Sequence, residues 1–250
     1  MLKARAIISS ALLALTLVLP LGVNAVTVGT VTTGFTTVDA TSKTVTHTVA
    51  AGTDVLVVGV STTNPAVVTC TYAAVGMTNG VSLVGTGNVS AYVFYLATPT
   101  TGSNDVVCTS DLNAGVWIVG AINLDNVDTA AIPDGTATNE QTSTTDRAVT
   151  VTTTKANTLV IGVLDYASGG ETITGNDTVL WDVTANDGAT TAVGGGQTIQ
   201  QASPGAAVVN WTVSSGTIRG VSAGMGFSNL VVASTNNGVV ELSTPFFGIF

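Results

Sequence analysis

Short runs rich in Val, Thr and Ile recur along the chain after residue 25, and each ends at Gly, Asn, Asp or Ser. The runs are spaced by roughly 8 to 15 residues and show no 3.6-residue periodicity, which predicts strands rather than helices. This spacing is typical of an all-β sandwich or barrel with nine or more strands. The clearest runs are Lys43–Val49, Asp54–Ser61, Ala66–Tyr72, Ser90–Ala97, Gly115–Leu124, Arg147–Thr153, Thr158–Asp165, Ala206–Val213 and Ile218–Phe227.

The placement of polar residues within a run predicts which faces are buried. In Lys43–Val49, every second residue from Val45 onward shares one face and Thr occupies the other, as in a half-buried antiparallel strand. Val55–Val58 and Leu159–Ile161 are apolar on both faces. We expect these two runs in the middle of a sheet that is covered on both sides, or at a subunit contact.

The part of the chain after residue 25 suits one large β-sandwich or two smaller ones. Residues 125–146 contain few apolar side chains and are rich in Asp, Thr, Ala and Gly, which predicts a long surface connection between halves or a mobile loop. The runs before and after it look alike, and neither half looks complete. We therefore favour one antiparallel, jelly-roll-like sandwich over residues 41–228, with a strand segment at 26–40 and an apolar tail at 229–250.

The first 25 residues have the features of a cleavable secretory signal. Lys3 and Arg5 supply positive charge, Ala6–Leu19 is uncharged and largely apolar, and the segment ends on the small residue Ala25. The apolar run is shorter than the roughly 20 residues that span a bilayer. We expect cleavage before Val26, a secreted, extracellular or cell-surface protein, and no integral membrane insertion.

Charge is scarce and mainly negative. Removal of Lys3 and Arg5 would lower the formal net charge from −9 to −11, because all 15 acidic residues lie after the signal. Nucleic acid and anionic membrane surfaces are therefore poor partners on electrostatic grounds. Only 8% of residues are charged while 45% are hydrophobic. Either Thr, Ser and Asn solvate the surface, or other copies of the chain cover much of it.

Cys70 and Cys108 are the two cysteines of the chain, and each lies in a short β-type run. Outside the cytoplasm a disulfide is the usual state of such a pair. Two thiols with the distant His47 would form a weak metal site, and a catalytic thiol would need a nearby base. The sequence therefore predicts a Cys70–Cys108 bridge between packed strands.

Asp125, Asp128 and Asp134 could supply carboxylate oxygens to a calcium ion. Their spacing does not match an EF-hand loop, and Asp is also an ordinary turn residue. Calcium is the one cofactor that the sequence suggests, at these three residues or at a second acidic loop, Asn176–Asp187, around Trp181 and Asp182.

Residues for catalysis are few. A Ser-His-Asp triad would have to use His47, the sole histidine, which lies on the apolar face of a Thr-rich run. The acidic residues form no recognisable glycosidase pair. We expect the protein not to be an enzyme.

Aromatic side chains could instead form a platform that stacks on sugar rings. Trp117 and Trp211 lie inside apolar runs, where core packing is expected, whereas Trp181 is flanked by acidic residues. Trp181 is therefore the candidate for glycan binding, with surface glycans as the ligand.

Both ends of the mature chain carry uncharged segments. The Val/Thr stretch that contains Val26, Val28 and Val31 could complete the sheet of a neighbouring copy, or pair within its own sheet. The last residues include Phe246, Phe247 and Phe250, which must pack on their own domain, on another subunit or in a membrane. We assign these six residues to assembly between copies.

Several segments resemble a diffuse group of secreted bacterial and archaeal β-sandwich domains that occur in surface and cell-wall-associated proteins and lack an assigned activity. The resemblance covers Thr41–Ser228 and includes the turn at Tyr95–Gly102 and a late Trp211; the cysteine pair and the tail depart from it. It implies a fold but carries over no functional residue. The matching segments are DVLVVGVST, VTCTYAAVGMT, AYVFYLATPTTGSNDVVCT, GVWIVGAINLDNVDTA, TLVIGVLDYA and VVNWTVSSGTIRGVSAGMGF.

The sequence thus predicts an extracellular structural protein that forms a surface filament, pilus-like fibre or layer. Copies of the chain would be joined by β-strand addition, with strand exchange between subunits as one route. The alternative is a secreted glycan-binding or adhesive module.

Overall fold

The computed structural model describes residues 24–231, apart from 65–66, 143, 169–171, 187–190 and 215–218. The body of the predicted signal and the three predicted assembly residues Phe246, Phe247 and Phe250 lie outside the described residues. The described part of the chain is antiparallel β-structure. The predicted all-β sandwich class is therefore confirmed, while the jelly-roll description and strand exchange stay predictions.

Residues 27–125 form two sheets, which we call the first inner sheet and the first outer sheet. The inner sheet contains β1 (Thr27–Thr36), β3 (Val55–Thr63), β6 (Thr78–Val84), β7 (Val89–Ala97) and β9 (Trp117–Asp125). The outer sheet contains β2 (Ala40–Val49), β4 (Val68–Tyr72), β5 (Val75–Gly76) and β8 (Gly102–Ala114). Their strand orders are β1-β9-β3-β7-β6 and β2-β8-β4-β5.

Residues 136–227 form the second inner sheet and the second outer sheet. The inner sheet contains β10 (Thr136–Gln141), β12 (Thr158–Ser168), β14 (Thr178–Asn186), β15 (Thr191–Gln201) and β17 (Gly220–Phe227). The outer sheet contains β11 (Asp146–Thr153), β13 (Ile173–Gly175) and β16 (Gly205–Val213). Their strand orders are β10-β17-β12-β15-β14 and β11-β16-β13.

The two halves of the chain repeat one topology. When the two-residue β5 is left out and strands are counted from the start of each half, both inner sheets have the order first, eighth, third, sixth, fifth. Both outer sheets have the order second, seventh, fourth. The sequence analysis favoured a single sandwich over residues 41–228, whereas the structure has two sheet pairs in and around that range.

Three apolar cores lie between the four stacked sheets. One core joins each outer sheet to its own inner sheet, and a central core joins the two inner sheets. Across the central core, β1 contacts β14, β6 contacts β10, and both β3 and β7 contact β12. The contact of β1 with β14 has its equivalent in the contact of β10 with β6. The two halves therefore pack against each other with approximate twofold symmetry, as the protomers of a symmetric dimer do.

The inner strands explain the runs that are apolar on both faces. In β3, Leu56 and Val58 pack against the first outer sheet, while Val55 and Val57 enter the central core. All of these side chains are fully buried. The expectation that such runs lie in a sheet covered on both sides is confirmed.

The first outer sheet also follows its predicted pattern. In β2, Val45, His47 and Val49 are buried and the intervening threonines are exposed. Cys70 of β4 and Cys108 of β8 are direct partners in this sheet, and both side chains are buried in the core beneath it. The predicted disulfide between them is confirmed, with a Cα–Cα distance of 4.1 Å.

Residues 125–146 differ from the predicted surface connection. This stretch contains β10, which pairs with β17 along all six of its residues. The strand was missed because its residues, TATNEQ, include no large apolar side chain. As an edge strand, β10 is held through its backbone ladder and needs little apolar burial of its own.

Candidate functional site

The first inner sheet ends on one side in β1, an edge strand of ten residues. It pairs with β9 from Thr27 opposite Asp125 to Thr36 opposite Trp117, with a bulge between Val28 and Val31. No other strand of the described part of the chain pairs with β1. Its second edge therefore presents unpaired backbone groups.

The side chains of β1 are unevenly buried. Val26, just before the strand, is 4% exposed and belongs to the central core, and Val31 is half-buried against the same core. Val28 is 36% exposed and Phe35 is 49% exposed. The three predicted assembly valines thus divide into two anchors, Val26 and Val31, and one exposed residue, Val28.

A buried histidine on β2 links β1 to β9 through hydrogen bonds. His47 of β2 places Nδ1 2.9 Å from Oγ1 of Thr32 and Nε2 2.9 Å from Oδ1 of Asn123 on β9. Asn123 donates its Nδ2 to the Thr48 carbonyl, which turns Oδ1 toward the ring. Nε2–H of His47 therefore donates to Asn123, and the Thr32 hydroxyl donates to Nδ1.

Burial lowers the pKa of His47, and the hydrogen bond to Asn123 opposes that shift. The ring is therefore neutral near pH 7 and holds β1 through hydrogen bonds rather than through charge. His47 is therefore a buried side chain whose two ring nitrogens both have hydrogen-bond partners.

The opposite edge of the first inner sheet is β6, which among the described strands pairs with β7 alone. Like β1, β6 contains no charged residue. An open groove of about 410 Å³ lies beside it. The groove is lined by Val67, Val68, Asn79, Ser82, Val84, Tyr92, Asp111 and Leu112.

The walls of this groove are unusually apolar for exposed surface. Val67 is 71% exposed, Leu112 is 53% exposed and Val84 is 49% exposed. Asp111 is its one carboxylate, and Oδ1 of Asp111 accepts the Val67 backbone N–H. Apolar side chains that converge beside a free edge indicate a contact surface. The sequence analysis missed it because these residues come from four separate segments.

The edges of the second inner sheet carry charge. Glu140 on β10 accepts hydrogen bonds from the backbone and hydroxyl of Thr86 and pairs with Arg219. Asp182 lies on β14, where burial raises its pKa. Charged side chains on edge strands oppose pairing with a further strand.

The three carboxylates predicted to bind calcium have separate partners. Asp134 is buried and accepts hydrogen bonds from Thr154, Lys155 and Thr158 around the turn between β11 and β12. These hydrogen bonds lower the pKa of Asp134 against the opposing effect of burial.

Asp128 forms an ion pair with Lys155 at 3.0 Å, and Asp125 ends β9 opposite Thr27. Among the residues that the structure describes, no three His, Cys, Asp or Glu side chains are grouped to hold a metal. Asp125, Asp128 and Asp134 thus have separate partners in this structure, and calcium binding at these residues stays a prediction.

Trp181 is not exposed as the glycan hypothesis expected. It is 5% exposed and belongs to the central core. Methyl groups built at Gly59 and Gly120 would lie 2.7 Å and 2.5 Å from its ring, and one at Gly196 would overlap it. The absence of side chains at these glycines makes room for the indole, so its faces cannot stack on a sugar.

Asp165 is a buried carboxyl that the sequence analysis did not single out. It lies in β12 at the contact between the two inner sheets, and burial raises its pKa well above the usual value. The signal was a carboxylate inside the apolar run TLVIGVLDY. Oδ2 of Asp165 accepts the Ser90 backbone N–H across this contact, so the carboxyl links the two inner sheets.

Comparison with known proteins adds no assignment. No protein-family model matches the chain, and neither curated proteins nor solved structures give a match. Within the described residues, no helix is long and apolar enough to cross a membrane. The resemblance to secreted surface domains stays a prediction.

Proposed function

We propose that the protein is a non-enzymatic, extracellular structural protein whose copies join into a surface filament, fibre or layer. The joining element is β1, which keeps its place beside β9 and adds its free edge to the sheet of a neighbouring copy. The observation that carries this proposal is that a ten-residue edge strand has no charged residue and mostly exposed side chains. Long, uncharged edges are the usual sites at which sheets grow between chains.

The scarcity of charge supports assembly. A net charge of about −11 repels copies at long range, so a stable contact must exclude acidic side chains. The β1 edge meets this requirement, although Lys43 donates its Nζ to the Phe35 carbonyl near one end of the strand. Assembly through β1 would also cover the side chains of Val28 and Phe35, whose exposure in a free monomer favours aggregation.

The test compares two equivalent charge insertions in the mature protein that begins at Val26. Val28→Asp places a carboxylate on the free edge, while Val208→Asp places one on β16, in the middle of the second outer sheet. Val208 is 44% exposed, close to the 36% of Val28. Sedimentation and electron microscopy over a concentration series would measure the critical concentration for assembly.

We expect the wild type and Val208→Asp to form polymers, and we expect Val28→Asp to raise the critical concentration at least about tenfold, equivalent to about 1.4 kcal/mol. Monomeric wild-type protein at high concentration, with no polymer in the images, would refute the proposed function. Equal assembly of the two variants would show that the copies join elsewhere.

The glycan-binding alternative no longer has a candidate residue that could stack on a sugar, because the Trp181 side chain is buried. The adhesive alternative has no observation that favours it over assembly.

A further inference from the structure

We infer that the acceptor for β1 is the β6 edge of a second copy, together with the apolar groove beside it. This inference rests on the proposed function, since it names the surface that the joining strand meets. The first inner sheet would then continue from copy to copy.

Charge selects β6 among the edges of the inner sheets. An incoming β1 would meet Glu140 at β10 and Asp182 at β14. At β6 it would meet the uncharged sequence TNGVSLV. Of the three inner-sheet edges other than β1, only β6 carries no acidic residue, which matters in a chain of strongly negative net charge.

Strand direction then determines how copies repeat. Each neighbouring pair in the order β1-β9-β3-β7-β6 is antiparallel. Since four antiparallel steps separate them, β1 and β6 point in the same direction. Copies related by translation would therefore pair β1 with β6 in parallel, and such a head-to-tail contact repeats without closing.

The parallel register brings exposed apolar residues together. The end of β1 carries Phe35, 49% exposed, and the following turn carries Val38, 64% exposed. The corresponding end of β6 carries Val84, which lines the groove with Leu112. Parallel addition would place Phe35 and Val38 at this end and cover apolar surface on both copies.

Cysteine cross-linking can identify the acceptor. Mature protein carrying Val28→Cys would be mixed with a second variant, allowed to assemble, and treated with a short bis-maleimide. The second variant carries Asn79→Cys at the start of β6, Val84→Cys at its end, Thr138→Cys on β10 or Val179→Cys on β14. The native cysteines do not interfere, because both are buried in a disulfide.

We expect covalent heterodimers with Asn79→Cys at a yield at least about fivefold above those with Thr138→Cys and Val179→Cys. A product with Val84→Cys alone would overturn the parallel arrangement. Polymers that give heterodimers only at β10 or β14, or at none of the four sites, would overturn β6 as the acceptor and leave the proposed function standing. Absence of polymer from the wild type would instead overturn the proposed function.

A blocking variant gives an independent measure. Ser82 is exposed on β6 and lines the groove, and Thr138 is exposed on β10. Ser82→Asp should raise the critical concentration at least about tenfold, whereas Thr138→Asp should change it less than about twofold. Equal effects, with urea unfolding midpoints that match the wild type, would contradict the inference.

Discussion

Ser90 of the first inner sheet donates its backbone N–H to Oδ2 of Asp165 of the second inner sheet, at 2.7 Å. Asp165 is fully buried between the two halves, and its Oδ1 has no hydrogen-bond partner among the described residues. A carboxyl in this position is favoured in its protonated form. We therefore expect the contact between the halves to weaken as pH rises.

Replacement of Asp165 by Asn should stabilise the protein increasingly as pH rises. The pKa of Asp165 is raised on folding, so its contribution to stability is fully present below the unfolded pKa of about 3.9 and is lost as pH rises through the folded pKa. Each unit of that shift is worth about 1.4 kcal/mol. Urea unfolding of the wild type and Asp165→Asn at pH 4 and pH 7 would measure the difference.

We expect the variant to gain at least about 1 kcal/mol relative to the wild type between these two pH values. If the wild type and Asp165→Asn differed in stability by the same amount at pH 4 and at pH 7, the pKa of Asp165 would not be raised on folding. The comparison of variant with wild type at each pH cancels the titration of the other acidic groups.

His47 should give the opposite dependence on pH. Its pKa is lowered on folding, so its contribution is fully present above the unfolded pKa of about 6.5 and is lost as pH falls through the folded pKa. His47→Gln should remove this dependence between pH 7.5 and pH 5. At pH 7.5 the variant should cost about 1 to 3 kcal/mol, because Thr32 and Asn123 lose a buried partner.

Chemical unfolding of both proteins across that range would provide the measurement. Parallel pH profiles for the wild type and His47→Gln would rule out His47 as the titrating group.

The packing of Trp181 against glycine can be tested with a double-mutant cycle. Trp181→Ala should cost about 3 to 5 kcal/mol by leaving a cavity, and Gly120→Ala should cost about 1 to 3 kcal/mol by forcing a methyl group against the indole. The double variant should cost less than the sum, because the methyl group would occupy space left by the ring.

Gly76→Ala is the matched control, since a methyl group there meets nothing within 4 Å. It should change the free energy of unfolding by less than about 0.5 kcal/mol. Additive costs in the cycle would show that the ring and Gly120 do not interact.

The sequence predicted strands well where side chains alternate, and predicted sheet partners poorly. The pattern of β2 and the doubly apolar β3 follow from period-two burial alone. The way in which the four sheets pack against one another could not be predicted from this pattern. Both faces of an inner strand are apolar, so the pattern does not say which face meets which sheet. The repeated topology of the halves therefore emerged only from the structure.

Trp181 shows how neighbouring residues can mislead. Asp182 follows it directly, which suggested an exposed aromatic residue. In a strand, however, successive side chains point to opposite faces, so Asp182 lies on the outward face of β14 while Trp181 enters the central core. The disulfide was predictable because only two cysteines were present.

The hairpin between β4 and β5 offers a stabilising substitution. Ala73 and Ala74 form its two-residue loop with φ of 48° and 64°, a left-handed conformation that Ala disfavours and Gly adopts freely. Ala74→Gly should therefore raise the free energy of unfolding by up to about 1 kcal/mol. Ala51→Gly is the control, because Ala51 lies in a turn where its φ is not positive, and this substitution should lower the free energy of unfolding. A lower free energy of unfolding in both variants would contradict this account.

A covalent lock separates strand addition from strand exchange. Thr27 of β1 and Asp125 of β9 are direct partners, so Thr27→Cys with Asp125→Cys would fix β1 in its own sheet after oxidation. If copies join through the free edge of an undisturbed β1, the oxidised monomer should assemble with a critical concentration within about twofold of the reduced form. If β1 must leave its own sheet, oxidation before assembly should prevent polymer formation, and oxidation afterwards should yield covalent ladders on a non-reducing gel. The Thr27→Cys single variant controls for the added thiol, and ladders in the double variant would replace addition with exchange as the mechanism.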